Sequence, residues 1–378
     1  METADVVIIG GGIMGASTAL FLAEAGVREV VLLERASVGA GASGRAAGMM
    51  VLQSRSEEAL RFQMESVRIH QRFRDEFGTD LQEHGSLLLW CSPQAAADAR
   101  ALVPMHQRVG VSVELLTPDE IQRRFPYLYT EDVAVATYSA ADPWATPLPT
   151  VKRIAEAARA RGVQVREGCQ VLGVEAERGR VRLVQTTAGV IHAPAVVNAA
   201  GAWAREVGAM TGVAVPVAPR KRQVFVVDPA TVLPSGGPFI MEEEKDFYCK
   251  TRAEGLIMVQ GQTVGETYET TVEWGYLDQA LETTVRRIPS LATAPITGAW
   301  AGIRPISPDG RPYLGAVPGL DGYFVAGGFG GQGFTQGPLG GRAIAELITT
   351  GRTGVDLSPY RVDRGEGHHA PAAGGASP

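Results

Sequence analysis

The segment that most constrains this chain is Gly10-Gly-Gly-Ile-Met-Gly15, which follows the apolar run Asp5-Val-Val-Ile-Ile9. A continuous run rich in β-branched residues reads as a strand buried on both faces. Met14 to Ala25 is rich in Ala, Leu and Phe and predicts a helix, with Gly26 placed to stop it. Val30 to Leu33 is a second strand and ends at Glu34, which completes a βαβ unit. In such a unit Gly10 permits the tight turn, and Gly12 lets a pyrophosphate approach the backbone. Gly15 lets helix and strand pack closely, and the helix N-terminus supplies N–H donors with a partial positive charge. Glu34 is placed to accept hydrogen bonds from an adenosine ribose. These residues alone leave NAD and FAD both open.

A length of 378 residues fits about two domains at ~150 residues each. With 45% hydrophobic and 20% charged residues, the chain is neither disordered, coiled coil nor collagen-like. Asp and Glu total 41 against 35 Lys and Arg, a net charge of −6, so no basic excess draws nucleic acid. Cys91, Cys169 and Cys249 are far apart and match neither a disulfide framework nor a zinc site; no metal is expected, and a reducing, cytoplasmic compartment is. Val6 to Ala23 is uncharged and long enough to mimic a membrane span. The four glycines inside it and Asp5 before it argue for strand, turn and helix instead.

Further along, Ala40 to Met50 reads as a small-residue loop turning into a helix, and Glu57 to Phe77 as an amphipathic helix. Ser86 to Trp90 is a predicted strand, Pro93 to Val109 a helix, and Thr117-Pro-Asp-Glu120 a capping box. Pro147 to Arg161 is a helix, followed by the strand Val163 to Val165. Val171 to Glu177 and Arg180 to Thr187 form a hairpin turning at Arg178-Gly179. From Pro216 to about Ile296 the pattern is of strands, as in an antiparallel sheet with one wet face. The final helix is expected over about Pro338 to Thr350, and the tail from Arg361 has nothing to bury. The layout is a nucleotide-binding domain entered more than once by the chain, with a mostly β domain inserted.

Four more segments carry the chemistry. Gly39-Ala-Gly-Ala-Ser-Gly-Arg-Ala-Ala-Gly48 follows the βαβ unit closely, and Val197-Asn-Ala-Ala-Gly-Ala-Trp203 follows a later strand. Gly302-Ile-Arg-Pro-Ile-Ser-Pro-Asp-Gly310 precedes Gly327-Gly-Phe-Gly-Gly-Gln-Gly-Phe-Thr-Gln-Gly337, whose glycines lead into the last helix. A helix N-terminus aimed at a bound ring can stabilise negative charge that appears there. Taken in this order from Asp5 to about Thr350, the motifs resemble the FAD-dependent D-amino-acid oxidase superfamily, in its glycine oxidase and sarcosine oxidase-like branch. The fold implied is α/β: a Rossmann-like FAD-binding domain (1–80, 147–215 and 300–360) with an inserted, mostly antiparallel-β substrate domain (81–146 and 216–299). Residues 361–378 are expected to be a disordered tail.

The resemblance implies that Gly10, Gly12, Ile13, Met14 and Gly15 hold the FAD pyrophosphate, and Glu34 with Arg35 the adenosine end. Ala42, Ser43, Gly44, Arg45 and Ala47, Gly48 and Met49 line the diphosphate and flavin; Val171 flanks the adenine, and Ala199, Ala200, Gly201 and Trp203 cover the middle. Gly302 lies against the cofactor, and Gly328, Gly330, Gly331, Gln332, Gly333, Phe334 and Thr335 approach the pyrimidine edge of the flavin. Arg304 matches the arginine that grips the substrate carboxylate and also borders the flavin; Tyr248, Phe329 and Thr335 face the substrate. By itself, Arg304 reads first as capping a turn or pairing with Asp309. Arg220-Lys-Arg222 reads first as a solvated charge run.

The sarcosine oxidase pattern has a lysine at Thr335 and a flavin-tethering cysteine near Gly302, and other members attach flavin through a histidine in the N-terminal loop; all three are missing, which implies non-covalent FAD. The oxygen-activating lysine has no counterpart in Gly255-Leu-Ile-Met-Val259, so oxygen and another electron acceptor both stay open. The activity implied is oxidation of the C–N bond of glycine, an N-substituted glycine or another small amino acid or amine. Hydride passes to flavin N5 and the imine is hydrolysed. No side chain is expected to act as a catalytic acid or base. A dehydrogenase of a D-amino acid or 2-hydroxy acid on the same fold, and a flavin subunit of a multimeric complex, are the alternatives. A homo-oligomer is possible.

Overall fold

Val6–Ile9 is buried along its whole length, so it needs strands on both edges and cover on both faces. The computed structural model, which describes residues 2–228, 236–252, 255–260 and 265–364, supplies both. A six-stranded sheet runs in the order Tyr313–Ala316, Tyr323–Gly327, Ala195–Asn198, Val6–Ile9, Val30–Leu33 and Gln164–Arg166. All neighbours are parallel except the Tyr313–Ala316 edge. Val6, Ile8 and Leu32 point into one apolar cluster with the helices Ile13–Glu24, Pro147–Arg159 and Gly333–Thr350. Val7, Ile9, Val31 and Leu33 point into another. That second face is covered by a four-stranded sheet containing the expected hairpin, Val171–Glu177 with Arg180–Thr186. The hairpin turns where Arg178 and Gly179 both take positive φ.

The first and last helices cross where neither has bulk. A Cβ on Gly341 would stand 2.7 Å from the Ser17 Cβ and from the Thr18 amide, and one on Gly337 would stand 2.8 Å from Ile13 Cγ2. The last helix begins at Gly333, five residues before the expected Pro338, and holds that proline inside. Pro338 has no N–H for the Phe334 carbonyl four residues back. His70 Nε2, from the buried face of helix Glu57–Phe77, lies 3.0 Å from that carbonyl oxygen, and Ser66 Oγ accepts the Leu339 amide at 3.1 Å. Partners from a neighbouring helix thus replace what the proline removes.

An eight-stranded sheet forms the rest, in the order Ile296–Ile306, Ala218–Val227, Gly255–Gln260, Phe247–Arg252, Phe239–Glu242, Ser86–Trp90, Val135–Ser139 and Glu114–Leu116. It is antiparallel except where Phe239–Glu242 pairs in parallel with Ser86–Trp90. The expected wet face is absent from Ala218–Val227. Phe225 and Val227 pack in one cluster with Ala280, and Val224 and Val226 in another with Tyr248. The cover on the first face is Leu277–Arg287, a helix inside a stretch read as strands. Its β-branched Thr283 and Thr284 disguise it; burial and the Thr284 Oγ1 bond to the Ala280 carbonyl (2.6 Å) hold it helical.

The Ala40 to Met50 loop does not turn into a helix. It holds one 3₁₀ turn, Ser43–Arg45, between Gly39 and Gly48, both at positive φ, which a right-handed helix cannot continue through. The Thr117 capping box is present as expected. Of the expected tail, Val362 and Arg364 are packed: Val362 lies against an apolar cluster, and Arg364 sits 3.8 Å over the Tyr313 ring and 2.8 Å from Asp309. The remainder lies outside the described residues. No described helix is long and apolar enough to cross a membrane. No described group of three or more His, Cys, Asp and Glu side chains could hold a metal.

Candidate active site

In an open parallel sheet, ligands bind beyond the carboxyl ends of the strands. Here Gly10, Glu34, Ala199 and Gly327, at the ends of four neighbouring strands, all line one cavity of about 560 Å³. The opposite wall is the face of the eight-stranded sheet that carries Arg222, Val224, Tyr248 and Arg304.

At one end the backbone is pressed close. A Cβ on Gly10, which has φ +113°, would stand 2.4 Å from the Ala199 carbonyl oxygen, and one on Gly12 3.0 Å from Ser43 Oγ. Gly15 would collide with the Gly10 carbonyl oxygen at 1.9 Å, so its work is helix–strand contact rather than lining. The Ile13 amide, first in its helix, donates to Ser43 Oγ at 3.0 Å. Glu34 accepts from the Gly11 amide (2.8 Å) and the Ala36 amide (2.9 Å), which fixes its carboxylate at the strand end. The Arg35 guanidinium lies 3.7 Å over the Trp203 ring, and Tyr268 stacks with that indole at 5.1 Å. Cys169 and Val171 close this end.

Along the middle, Arg45 Nη1 donates to the Ala301 carbonyl (2.9 Å) and its Nε to Ala40 (3.2 Å), so the loop is tied to the strand carrying Arg304. A Cβ on Gly302 would come within 3.2 Å of Arg45 Cβ. Gln332, Gly333 and Phe334 bring the N-terminus of the last helix to the wall, uncapped by any side chain. Two helix N-termini, at Ile13 and Gly333, therefore border one cavity, and each favours negative charge. Closely approached backbone, donors for a diphosphate and a carboxylate at the ribose end fit a long dinucleotide such as FAD.

The far end is built from Ile296–Ile306, Ala218–Val227 and Phe247–Arg252. Arg304 Nη2 donates to the Tyr248 hydroxyl at 3.3 Å. No described carboxylate pairs with Arg304; Asp309, its candidate partner, is taken by Arg364. Burial first, and the Arg222 charge second, lower the Arg304 pKa from its usual value. Guanidinium nonetheless stays protonated, so a positive charge is left facing the cavity. Val224, Phe239 and Met241 supply apolar wall beside it.

Most of the expected site residues line this cavity: Gly10, Gly12, Ile13, Met14, Glu34, Arg35, Ala42, Ser43, Arg45, Ala47, Gly48, Met49, Val171, Ala199, Ala200, Gly201, Trp203, Tyr248, Gly302, Arg304, Phe329, Gly330, Gly331, Gln332, Gly333 and Phe334. Four do not. Gly15 and Gly44 pack against the Gly10 and Gly39 carbonyl oxygens, and Gly328 against Tyr313, Ser307 and Val217. Thr335 is buried and its Oγ1 donates to the Met49 carbonyl at 3.3 Å, behind the wall, because a helix turns it away from the side Gly333 and Phe334 occupy. Arg222 corrects the reading of its basic run. Lys221 and Arg222 are 3% and 5% exposed, because both faces of their strand are covered. Glu206, Met210 and Tyr268 also line the cavity without any local signal.

The family model described as DAO, FAD dependent oxidoreductase, matches residues 5–347. Mouse sarcosine dehydrogenase is 29% identical over 96% of this chain, which spans only 41% of that protein's length. Glycine oxidase from Geobacillus kaustophilus is 29% identical over 95% of this chain and 97% of its own, and its crystal structure superposes with a TM-score of 0.88 over 97% of this chain and all of that one. The crystal structure of L-proline dehydrogenase from P. horikoshii gives a TM-score of 0.90 at 29% identity, covering 96% and 97% of the two chains. A match across nearly the whole chain, with the Gly10–Gly15 turn, the cavity and Arg304 in place, makes it a member of the DAO family of FAD-dependent oxidoreductases.

Proposed function

We propose that this enzyme oxidises the C–N bond of glycine or a small N-substituted glycine, with FAD held non-covalently. The observation that carries this reading is Arg304: a guanidinium with no described carboxylate partner, aimed into the far end of the cavity and steadied by Tyr248. A planar fork that stays charged when desolvated suits a carboxylate. The apolar Val224, Phe239 and Met241 beside it offer nothing to a polar side chain but suit an N-alkyl group. Glycine, sarcosine and proline, named in the three relatives, each carry an amine one carbon from a carboxylate.

When bound, FAD supplies the two-electron acceptor for the oxidation. Arg304 and Tyr248 hold the acid end of the substrate, and this orientation supplies most of what the chain itself contributes. Neither histidine, aspartate nor lysine lines the cavity among the described residues, and its glutamates lie at the other end, Glu34 on the Gly11 amide and Glu206 on the Tyr268 hydroxyl. The substrate amine therefore enters as the free base, and kcat/KM rises with pH up to the amine's own pKa. The uncapped helix N-terminus at Gly333 would favour negative charge on the part of the bound cofactor that lies against it. Gly302 and the histidine-free Gly39–Gly48 segment provide no side chain to tether the cofactor. Denaturation by acid should release all yellow colour into the supernatant.

The test is anaerobic bleaching of the flavin by a panel of small amines, amino acids and 2-hydroxy acids. Glycine or an N-methyl or N-ethyl glycine should bleach it. Arg304→Gln should keep its FAD while KM rises on the order of 100-fold, as for a lost charged pair. An unchanged KM would refute the assignment. Oxygen uptake against turnover with an artificial acceptor decides where the electrons go.

A further inference from the structure

We propose that Arg222 is a second binding residue for the substrate carboxylate, giving its Nε–H to the same acid that Arg304 holds, with Asp246 fixing its orientation. This rests on the reading above of Arg304 as the carboxylate anchor. Arg222 spends both terminal nitrogens on one partner: Nη1 lies 2.5 Å and Nη2 2.8 Å from the two oxygens of Asp246. Its third donor, Nε, is buried and has no acceptor. A buried charged donor left without an acceptor is costly, so the position favours a ligand that supplies one. The side chain that carries it lines the cavity.

Strand register places it beside Arg304. Arg222 stands opposite Gly302 and Arg220 opposite Arg304, so Arg222 and Arg304 are diagonal neighbours on one face, about 7–8 Å apart at their Cα atoms. Gly302 puts no side chain between them. Tyr248 joins the pair: its hydroxyl accepts from Arg304 Nη2 at 3.3 Å, and Arg222 Cζ lies 5.5 Å from its ring centre. Arg220, though opposite Arg304 in the register, does not line the cavity; the cavity side of the cluster holds two guanidiniums and one protein carboxylate, Asp246, which lies on the side of Arg222 away from its Nε. One further carboxylate balances the charge and satisfies the orphan donor. The Arg222 charge works against the protonated form of Arg304 until that acid arrives. The substrate class is therefore a monocarboxylate, its acid bridging two strands, rather than a diacid with one group on each arginine.

The experiment titrates the FAD-loaded protein with acetate and malonate, reading the shift of the flavin absorption band, and measures KM for the substrate that bleaches it. The Arg222→Gln/Asp246→Asn double variant keeps a neutral hydrogen-bonding pair in place of the ion pair. It should retain full FAD content, bind acetate about tenfold more weakly, and raise KM while kcat changes little. Arg222→Lys, which keeps charge without the Nε–H, should fall between. Acetate affinity within twofold of wild type in both variants overturns the proposal. So does malonate binding 100-fold more tightly than acetate with that advantage lost in the double variant, since Arg222 would then hold a second acid. Undiminished acetate binding in Arg304→Gln would instead sink the Arg304 assignment on which the proposal rests.

Discussion

His70 shows how one side chain can repair a helix and become sensitive to pH. It is buried beside the Phe334 carbonyl that Pro338 leaves open, and desolvation lowers its pKa to about 4. Between about pH 6.5 and 4 the unfolded chain binds a proton that the folded one refuses, so stability is lost as pH falls through that window. The full effect is on the order of 3 kcal/mol. Asp142, buried and pushed up to about 6 by desolvation, acts oppositely: its contribution is lost as pH rises through 6. Comparing wild type with His70→Gln, whose amide can still donate to Phe334, isolates the histidine. The wild type should lose about 3 kcal/mol more than the variant between pH 6.5 and 4 in urea unfolding. Parallel curves would show that His70 does not titrate there.

At the scale of elements, the crossing of helices Ile13–Glu24 and Gly333–Thr350 sets the distance between the two helix N-termini that border the cavity. Gly341→Ala places a methyl 2.7 Å from Ser17 Cβ and the Thr18 amide. It should cost about 1–3 kcal/mol by overpacking and weaken FAD binding as the last helix shifts. Gly354, with open space around it and no positive φ, is the control; its alanine variant should unfold like wild type. The capping box at Thr117 accounts for a smaller share. Thr117→Ala should cost about 1 kcal/mol with FAD affinity unchanged, because its helix is remote from the cavity residues. The capping box was readable because its partners are three residues apart. Leu277–Arg287 was not, because the helix has no capping side chain and is secured by burial against the eight-stranded sheet.

For the whole molecule, the cavity is walled by two sheets that do not hydrogen-bond to each other as one. A cofactor touching both walls stabilises the folded state by mass action, about 2.7 kcal/mol at a free concentration 100 times Kd. The FAD-free protein should therefore melt several degrees below the loaded one, with added FAD raising Tm in a concentration-dependent way. A Tm indifferent to FAD would contradict the placement of the cofactor between the sheets.

What was determined by sequence alone lies within short spans of chain. Gly10, Gly12 and Gly15 with Glu34 spell out a strand, turn, helix and strand, because glycine spacing and apolar runs act through local backbone geometry. The same holds for Arg45, Trp203 and Gly333, each inside a compact motif. Tertiary structure decided which residues meet across sheets and helices. Arg222 comes beside Arg304 only through the pairing of Ala218–Val227 with Ile296–Ile306, and Asp246 reaches it from a third strand. His70 meets Phe334 across 264 positions, and Arg364 takes the Asp309 that Arg304 could have used. Such partners are chosen by strand register and by which faces are buried, and neither leaves a mark on the residues nearby in the chain.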